Sequence, residues 1–156
     1  MHIRLLVVGK TTDNRVEQLI GDYHKRLVHY VPFDIVIIPE LKNTRALTQE
    51  QQKQAEGELI LHALPKNSRL ILLDEHGREY RSVEFAAQLQ QLMTAGQDVT
   101  YVVGGPYGFS RAVYDRADGL LSLSKMTFSH QLIRALFAEQ LYRAMTILRG
   151  EPYHHE

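Results

Sequence analysis

Five apolar runs of strand length alternate along this chain with stretches of helical period, and no other feature restricts its fold so strongly. The first run, "IRLLVVG" (Ile3 to Gly9), is almost wholly apolar, as a strand covered on both faces must be. A helix follows, with Asp13 or Asn14 as cap and Val16, Leu19, Ile20, Tyr23 and Leu27 on one face. After Pro32 comes the second strand, "FDIVIIP", and Thr48 with Gln51 has the spacing of a capping box that opens a helix running to Leu64. "SRLILLD" is the third strand, "EHGREYRS" reads as a turn, and Ser82 is expected to cap the next helix. "DVTYVVGG" forms the fourth strand, "SRAVYDRA" a short helix and "GLLSLS" the fifth strand. The longest helix runs from His130 to Arg149, closed by Gly150 and Pro152. Such alternation implies a layered α/β fold, a mostly parallel sheet with helices on both faces. At 156 residues one domain, 1–156, is expected.

Composition narrows the chemistry. There is no cysteine, which excludes disulfides, thiolate metal sites and thiol nucleophiles, and fits the reducing cytoplasm. The N-terminal apolar run is too short to span a bilayer and no cleavage signal follows it, so a soluble, unprocessed protein is expected. Lys plus Arg and Asp plus Glu both total 18, so no global positive field draws the chain onto nucleic acid. A local basic patch, joined across a dimer, would still serve a specific phosphate contact.

In parallel sheets ligands bind beyond the carboxyl ends of the strands, and the loops there hold the least ordinary residues. After the fourth strand comes "GGPYGFS", in which Gly104 and Gly105 would let a ligand approach the backbone while Ser110 caps a helix. An ordinary tight turn would have the same composition, and neither a G-x-G-x-x-G fingerprint nor a phosphate loop is present. After the fifth strand, "LSLSKMTFSHQLIR" is polar enough for its backbone to wrap a small molecule, with Lys125 and His130 facing outward, although a plain strand-to-helix connection would look alike. The last helix is apolar around much of its circumference, which suits a central helix or one packed on a partner subunit. On it, Glu139 and Arg143 have the spacing of a surface ion pair, or line a site at that interface.

The segments "LLDEHGREYRS", "VVGGPYGFS", "LSLSKMTFSHQLIRALFAEQLYRA" and terminal "PYHHE", in this order, resemble the RlmH family, the large-subunit ribosomal RNA pseudouridine N3-methyltransferases. The similarity spans the whole chain. It implies a SPOUT-type fold with a C-terminal trefoil knot, a feature no strand pattern would suggest. It also implies S-adenosylmethionine as methyl donor, held by Leu73, Gly104, Gly105 and the run Leu123, Ser124, Lys125, Met126, Thr127 and Phe128. Members act as homodimers on a pseudouridine in helix 69 of 23S rRNA within the assembled ribosome, the tail of one subunit facing the cofactor of the other.

The resemblance further implies catalytic roles for Glu139, Arg143, His130, Tyr153 and His154. Tyr153 is expected to orient the base. His154, beside the negative end of a helix, is expected to be protonated and to meet phosphate, or to handle the proton of the base nitrogen. His155 stands where the family commonly has lysine or arginine, so a steeper pH dependence is expected. Lys10, Lys125, Arg134, Arg143, Arg149 and the tail histidines are expected to form the basic surface. Two other classes compete: a nucleotide-binding oxidoreductase using the Gly104 loop, which lacks the glycine fingerprint, and a non-catalytic dimeric binding protein. A metal held by His130, His154 and His155 is not expected, since adjacent histidines chelate one ion poorly without a further fixed ligand.

Overall fold

A computed structural model describes residues 1–156. In chain order the elements are β1 (Ile3–Val8), α1 (Asn14–Leu27), β2 (Phe33–Ile38), a short 3₁₀ turn (Thr44–Ala46), α2 (Gln49–Ala63), β3 (Arg69–Glu79), α3 (Ser82–Thr94), β4 (Val99–Val103), α4 (Arg111–Arg116), β5 (Gly119–Ser122) and α5 (Leu132–Leu148). The strands form one sheet in the order β2-β1-β4-β3-β5, every pair parallel. Alternation along β1 sends Ile3, Leu5 and Val7 to one face, where Leu27, Phe85, Leu89, Phe137 and Leu141 of α1, α3 and α5 cover them. Leu6 and Val8 face the other way, onto Ile60 of α2 and Val113 of α4. The layered parallel fold expected from the apolar runs is therefore present.

Local signals account for most helix starts. Asp13 accepts the Arg15 N–H at 2.8 Å, Thr48 and Gln51 close their capping box, and Ser110 accepts the Val113 N–H at 3.3 Å. Ser82 does not cap α3. It is the first helical residue, and the reaching-back carboxylate of Glu84 takes the Arg81 N–H at 2.7 Å instead.

The turn expected at "EHGREYRS" is mostly strand. β3 continues to Glu79, where Arg78 and Glu79 pair with Leu121 and Ser122 after a register shift beyond Leu73. Gly77 makes this possible, because a Cβ there would lie 2.7 Å from the Leu120 backbone. Hydropathy misses the strand because the bulge exposes its polar residues. Leu19 also departs from expectation, at 44% exposed, while Ile20 and Leu27 carry the packing of α1.

α5 begins at Leu132, two residues later than expected, and packs on α1 and α3. Its apolar circumference is thus largely spent inside the chain, although Leu132 stays 41% exposed. Arg134 belongs to no basic surface. It is 1% exposed, and its guanidinium donates to the carbonyls of Val8 (2.8 Å) and Gly9 (2.8 Å) and to Thr11 Oγ1 (3.2 Å), tying the start of α5 to the end of β1. Those carbonyls neutralise much of the cost of burying the cation. No helix is long and apolar enough to cross a membrane.

Candidate functional site

The carboxyl ends of β3, β4 and β5 open into a cavity of about 540 Å³. Leu73, Gly104, Gly105, Leu123, Ser124, Met126, Thr127 and Phe128 all line it, with His130 at its rim. Only Lys125 of the expected cofactor run does not. Its side chain points to solvent, 3.9 Å from Glu79. The polar bulge of β3 supplies further walls in Asp74, Glu75 and His76, and α4 supplies Tyr114.

Backbone chemistry gives this cavity its character. Between Leu123 and Ser129 the only main-chain N–H with a hydrogen-bond partner is that of Met126, which reaches Ser124 Oγ at 2.9 Å. Lys125, Met126, Thr127 and Ser129 of this loop are exposed, and Ser124 O accepts from Ser122 Oγ at 2.8 Å, so most of its remaining backbone donors are open to solvent or to a ligand. Set beside the apolar walls of Leu73, Leu121 and Ile133, they fit a ligand with a flat polar edge and an apolar body. The volume suits a nucleoside with a short side chain, so the residues present fit S-adenosylmethionine.

Hydrogen bonds tie the cavity's mouth. The Tyr114 hydroxyl donates to Asp74 and the Thr127 hydroxyl to Glu75, linking β3 to α4 and to the loop after β5. Burial pushes the Asp74 carboxyl up, but the hydrogen bonds from Tyr114 and His76 together outweigh it and hold the group below its usual range. Burial and the Asp74 carboxylate raise the Tyr114 hydroxyl, which stays a donor.

The paired glycines line the cavity and are also packed against the protein itself. A Cβ on Gly104 would meet the Phe109 ring at 3.0 Å, and one on Gly105 would meet the Glu56 carboxylate at 2.6 Å.

A second group of expected residues gathers elsewhere. Arg143 donates to Glu139 at 2.7 Å, Tyr153 donates to the same carboxylate oxygen at 2.9 Å, and the Arg143 guanidinium stacks 4.8 Å from the centre of the Tyr153 ring. Arg143 Nη1 is 3.1 Å from His154 Nδ1. Arginine has no acceptor, so a hydrogen bond here is accepted by Nδ1, while Nε2 faces the Glu156 carboxylate at 3.7 Å. That second nitrogen is buried without a hydrogen-bond partner. Burial, with hydrogen bonds to Tyr23 and Glu139, raises the Tyr153 hydroxyl well above the usual tyrosine range. His130 is far from this cluster, so the three histidines weighed for a metal do not converge.

The tail that carries Tyr153 and His154 is tied down. Gly150 has φ +68° and donates to Ile147 O at 3.0 Å, while Glu151 N–H reaches Thr146 O at 3.0 Å, the two bonds of a Schellman stop. Tyr30 then donates to Glu151 at 2.6 Å, and Arg149 lies 4.2 Å from the Tyr30 ring centre. Within one protomer the cluster does not line the cavity. Ile133 does, and Arg143 follows ten residues later on the same helix, about 15 Å away at 1.5 Å per residue.

Sequence reasoning did not single out Asp74, Tyr114, Tyr23 or Glu56. Asp74 and Tyr114 become neighbours only because β3 and β5 pair, and nothing in local composition signals that.

Comparison with known proteins agrees with this geometry. A family model described as "Predicted SPOUT methyltransferase" matches residues 1–154. The chain is similar to proteins named "Ribosomal RNA large subunit methyltransferase H" from Bacteroides fragilis (54% identical, all of both chains covered) and Phocaeicola vulgatus (55% identical, all of both chains covered). Among solved structures it resembles a methylase family protein from Neisseria gonorrhoeae, with TM-score 0.54, 16% identity, and coverage of 99% of this chain and 86% of that one. That last likeness concerns the fold alone. With a match running from residue 1 to residue 154, this chain belongs to the SPOUT methyltransferase family.

Proposed function

We propose that the protein transfers a methyl group from S-adenosylmethionine to N3 of a pseudouridine in helix 69 of 23S rRNA, in the assembled ribosome. It does so in the cytoplasm, as a homodimer. The observation that carries this is the cavity at the ends of β3, β4 and β5, which sets an accessible loop backbone beside apolar walls of Leu73, Leu121 and Ile133. Relatives that match the chain end to end bear the name of a large-subunit rRNA methyltransferase, which supports the substrate class. The knotted path expected of the family belongs to the same proposal.

When bound, S-adenosylmethionine supplies an electrophilic methyl on a sulfonium sulfur. The protein's share of the work is placement. Leu73, Leu121 and Phe128 exclude water from the apolar body of the donor, and the loop from Leu123 to Phe128 reads its polar edge. Holding the base nitrogen in line with the methyl removes much of the entropic barrier.

N3 carries a proton at neutral pH, and its anion must be stabilised as the proton leaves. Glu139 already accepts two hydrogen bonds on one oxygen, so it orients Arg143 and Tyr153 and is no free base. Arg143 offers a fixed positive charge, and the Tyr153 hydroxyl, whose one proton goes to Glu139, holds its ring in place for orienting the base. His154 adds Nε2, which has no hydrogen-bond partner within the chain and lies 3.7 Å from Glu156. These groups suit an anionic base edge and a phosphate. Because they lie about 15 Å along α5 from the cavity, the partner's tail, and not the protomer's own, completes each site. Lys10, Lys125 and Arg149 are exposed and provide the basic surface for RNA, without Arg134.

The test is to incubate the protein with labelled S-adenosylmethionine and ribosomes lacking the modification, then map the labelled nucleotide. Label at N3 of one helix 69 pseudouridine is expected. No incorporation into ribosomal RNA overturns the proposal.

A further inference from the structure

We propose that Glu56 of α2 is a positioning residue for the methyl donor: its carboxylate holds the Gly105–Pro106 segment in place as the wall between two cavities, without touching the ligand. The proposal rests on the donor occupying the 540 Å³ cavity. On the far side of that wall lies a second, polar cavity of about 190 Å³, bounded by Glu56, Glu40, Thr44 and Gln52, with Gly105, Pro106 and His130 shared between the two.

Glu56 is 7% exposed, and a carboxylate so buried has to be compensated. Its one hydrogen bond is from the Gly105 N–H, at 3.0 Å. Nothing else in the chain pairs with it. Burial pushes its pKa up, the Gly105 N–H opposes this, and neighbouring Glu40 adds to the rise, so no ion pair explains its presence. The fit is reciprocal, since a Cβ on Gly105 would lie 2.6 Å from Glu56 Oε2. The next residue, Gly57, lets α2 pack closely on the other end of the same loop, since a Cβ there would meet Ser110 Oγ at 2.4 Å and Val113 Cγ2 at 3.1 Å. Two consecutive residues of α2 therefore abut both ends of the segment from Gly105 to Ser110, and Glu56 holds its end through a hydrogen bond.

Without that bond the wall is free to move into the smaller cavity, and the larger one loses its shape. Donor binding suffers, while the transfer step, governed by Arg143 and Tyr153, does not.

The experiment compares Glu56→Ala, Glu56→Gln and Glu56→Asp with the native protein. S-adenosylmethionine affinity is measured by calorimetry, KM and kcat on ribosomes by methyl incorporation, and exchange of the Gly105 amide by NMR without ligand. Losing one charge-assisted hydrogen bond should raise Kd and KM for the donor about tenfold with kcat little changed. Gly105 should exchange faster in Glu56→Ala. Glu56→Gln keeps an acceptor oxygen and should recover most of the affinity and protection. Should Glu56→Ala fail to fold, Glu56→Asp, whose shorter side chain withdraws the acceptor from the Gly105 N–H, must raise KM and speed Gly105 exchange in the same way. Native-like affinity and Gly105 exchange in Glu56→Ala, or a fall in kcat with KM constant, overturn the proposal. If the native protein binds no S-adenosylmethionine, it is the donor site that fails. The exchange data then still report whether Glu56 holds the wall.

Discussion

The cavity and the tail cluster belong to the same chain but are built on opposite terms. The cavity sets apolar walls such as Leu73 and Leu121 against polar ones such as Asp74 and Thr127, with a loop whose backbone is open to a ligand. The cluster is charged and closed on itself, Glu139, Arg143, Tyr153 and His154 already bonded to one another. Accessible backbone groups beside an apolar wall suit a ligand. A network bonded within itself, with only His154 Nε2 left over, holds side chains in place before a substrate arrives, which is how donors must stand to act on a transition state. On the function proposed above, the first region binds the donor and the second serves the chemistry.

The most direct way to break that division is Arg143→Ala. Removing a preorganised cationic donor should lower methyl transfer by roughly a hundredfold or more, with S-adenosylmethionine affinity unchanged. Calorimetry beside single-turnover kinetics checks this, and a parallel loss of affinity would merge the two regions into one.

Arg134 links them, because it fixes the start of α5 at the cavity while the cluster rides on the same helix. Arg134→Met leaves the carbonyls of Val8 and Gly9 without donors in the interior. A loss of roughly 2–4 kcal/mol in urea unfolding is expected. A native-like midpoint would mean that α5 is anchored by packing alone.

Much of the fold was legible because strands covered on both faces must be apolar, and caps such as Thr48 with Gln51 announce themselves locally. What hid was non-local. The extension of β3 to Glu79 depends on pairing with β5, and Gly77 betrays it only once Leu120 lies against it. Gly104 and Gly105 line the cavity, but composition could not show that Phe109 and Glu56 also need the space they leave, and Glu56 is far off in sequence. The burial of Arg134 was equally invisible, since an arginine four residues before Ala138 reads as surface until the carbonyls of β1 arrive beneath it.

The tail offers a smaller effect with a definite sign. Tyr30 is pushed up to about 12 by its hydrogen bond to Glu151 first, then by burial and the nearby Tyr142. A folded value above the unfolded one, near 10, means that the contact stabilises fully below about pH 10 and is lost as pH rises through 12. Ultraviolet titration of Tyr30→Phe against the native chain should show one tyrosine transition near pH 12 missing, while those of Tyr101, Tyr114 and Tyr153, raised further still, remain. Both proteins should be equally stable once that transition has passed. An unchanged titration would leave the tail held only by Gly150 and its two backbone bonds.

The smallest expected effect falls on His155, exposed at the far end of the cluster. An imidazole changes charge between about pH 5 and 8, whereas a guanidinium does not. If the cluster meets RNA, His155→Arg should gain little at mildly acidic pH, where both residues are cationic. Its advantage should grow as pH rises, because only the native side chain loses its charge. An exposed contact of this kind is worth less than about 1 kcal/mol, so the ratio of variant to native activity should rise by a factor of only a few. It should shrink again at high salt, where phosphate contacts weaken. S-adenosylmethionine affinity should change little, because His155 is exposed and does not line the donor cavity. A pH-independent ratio would remove His155 from the RNA surface, and a change in donor affinity would place the last residues of a tail, the chain's own or its partner's, against the donor itself.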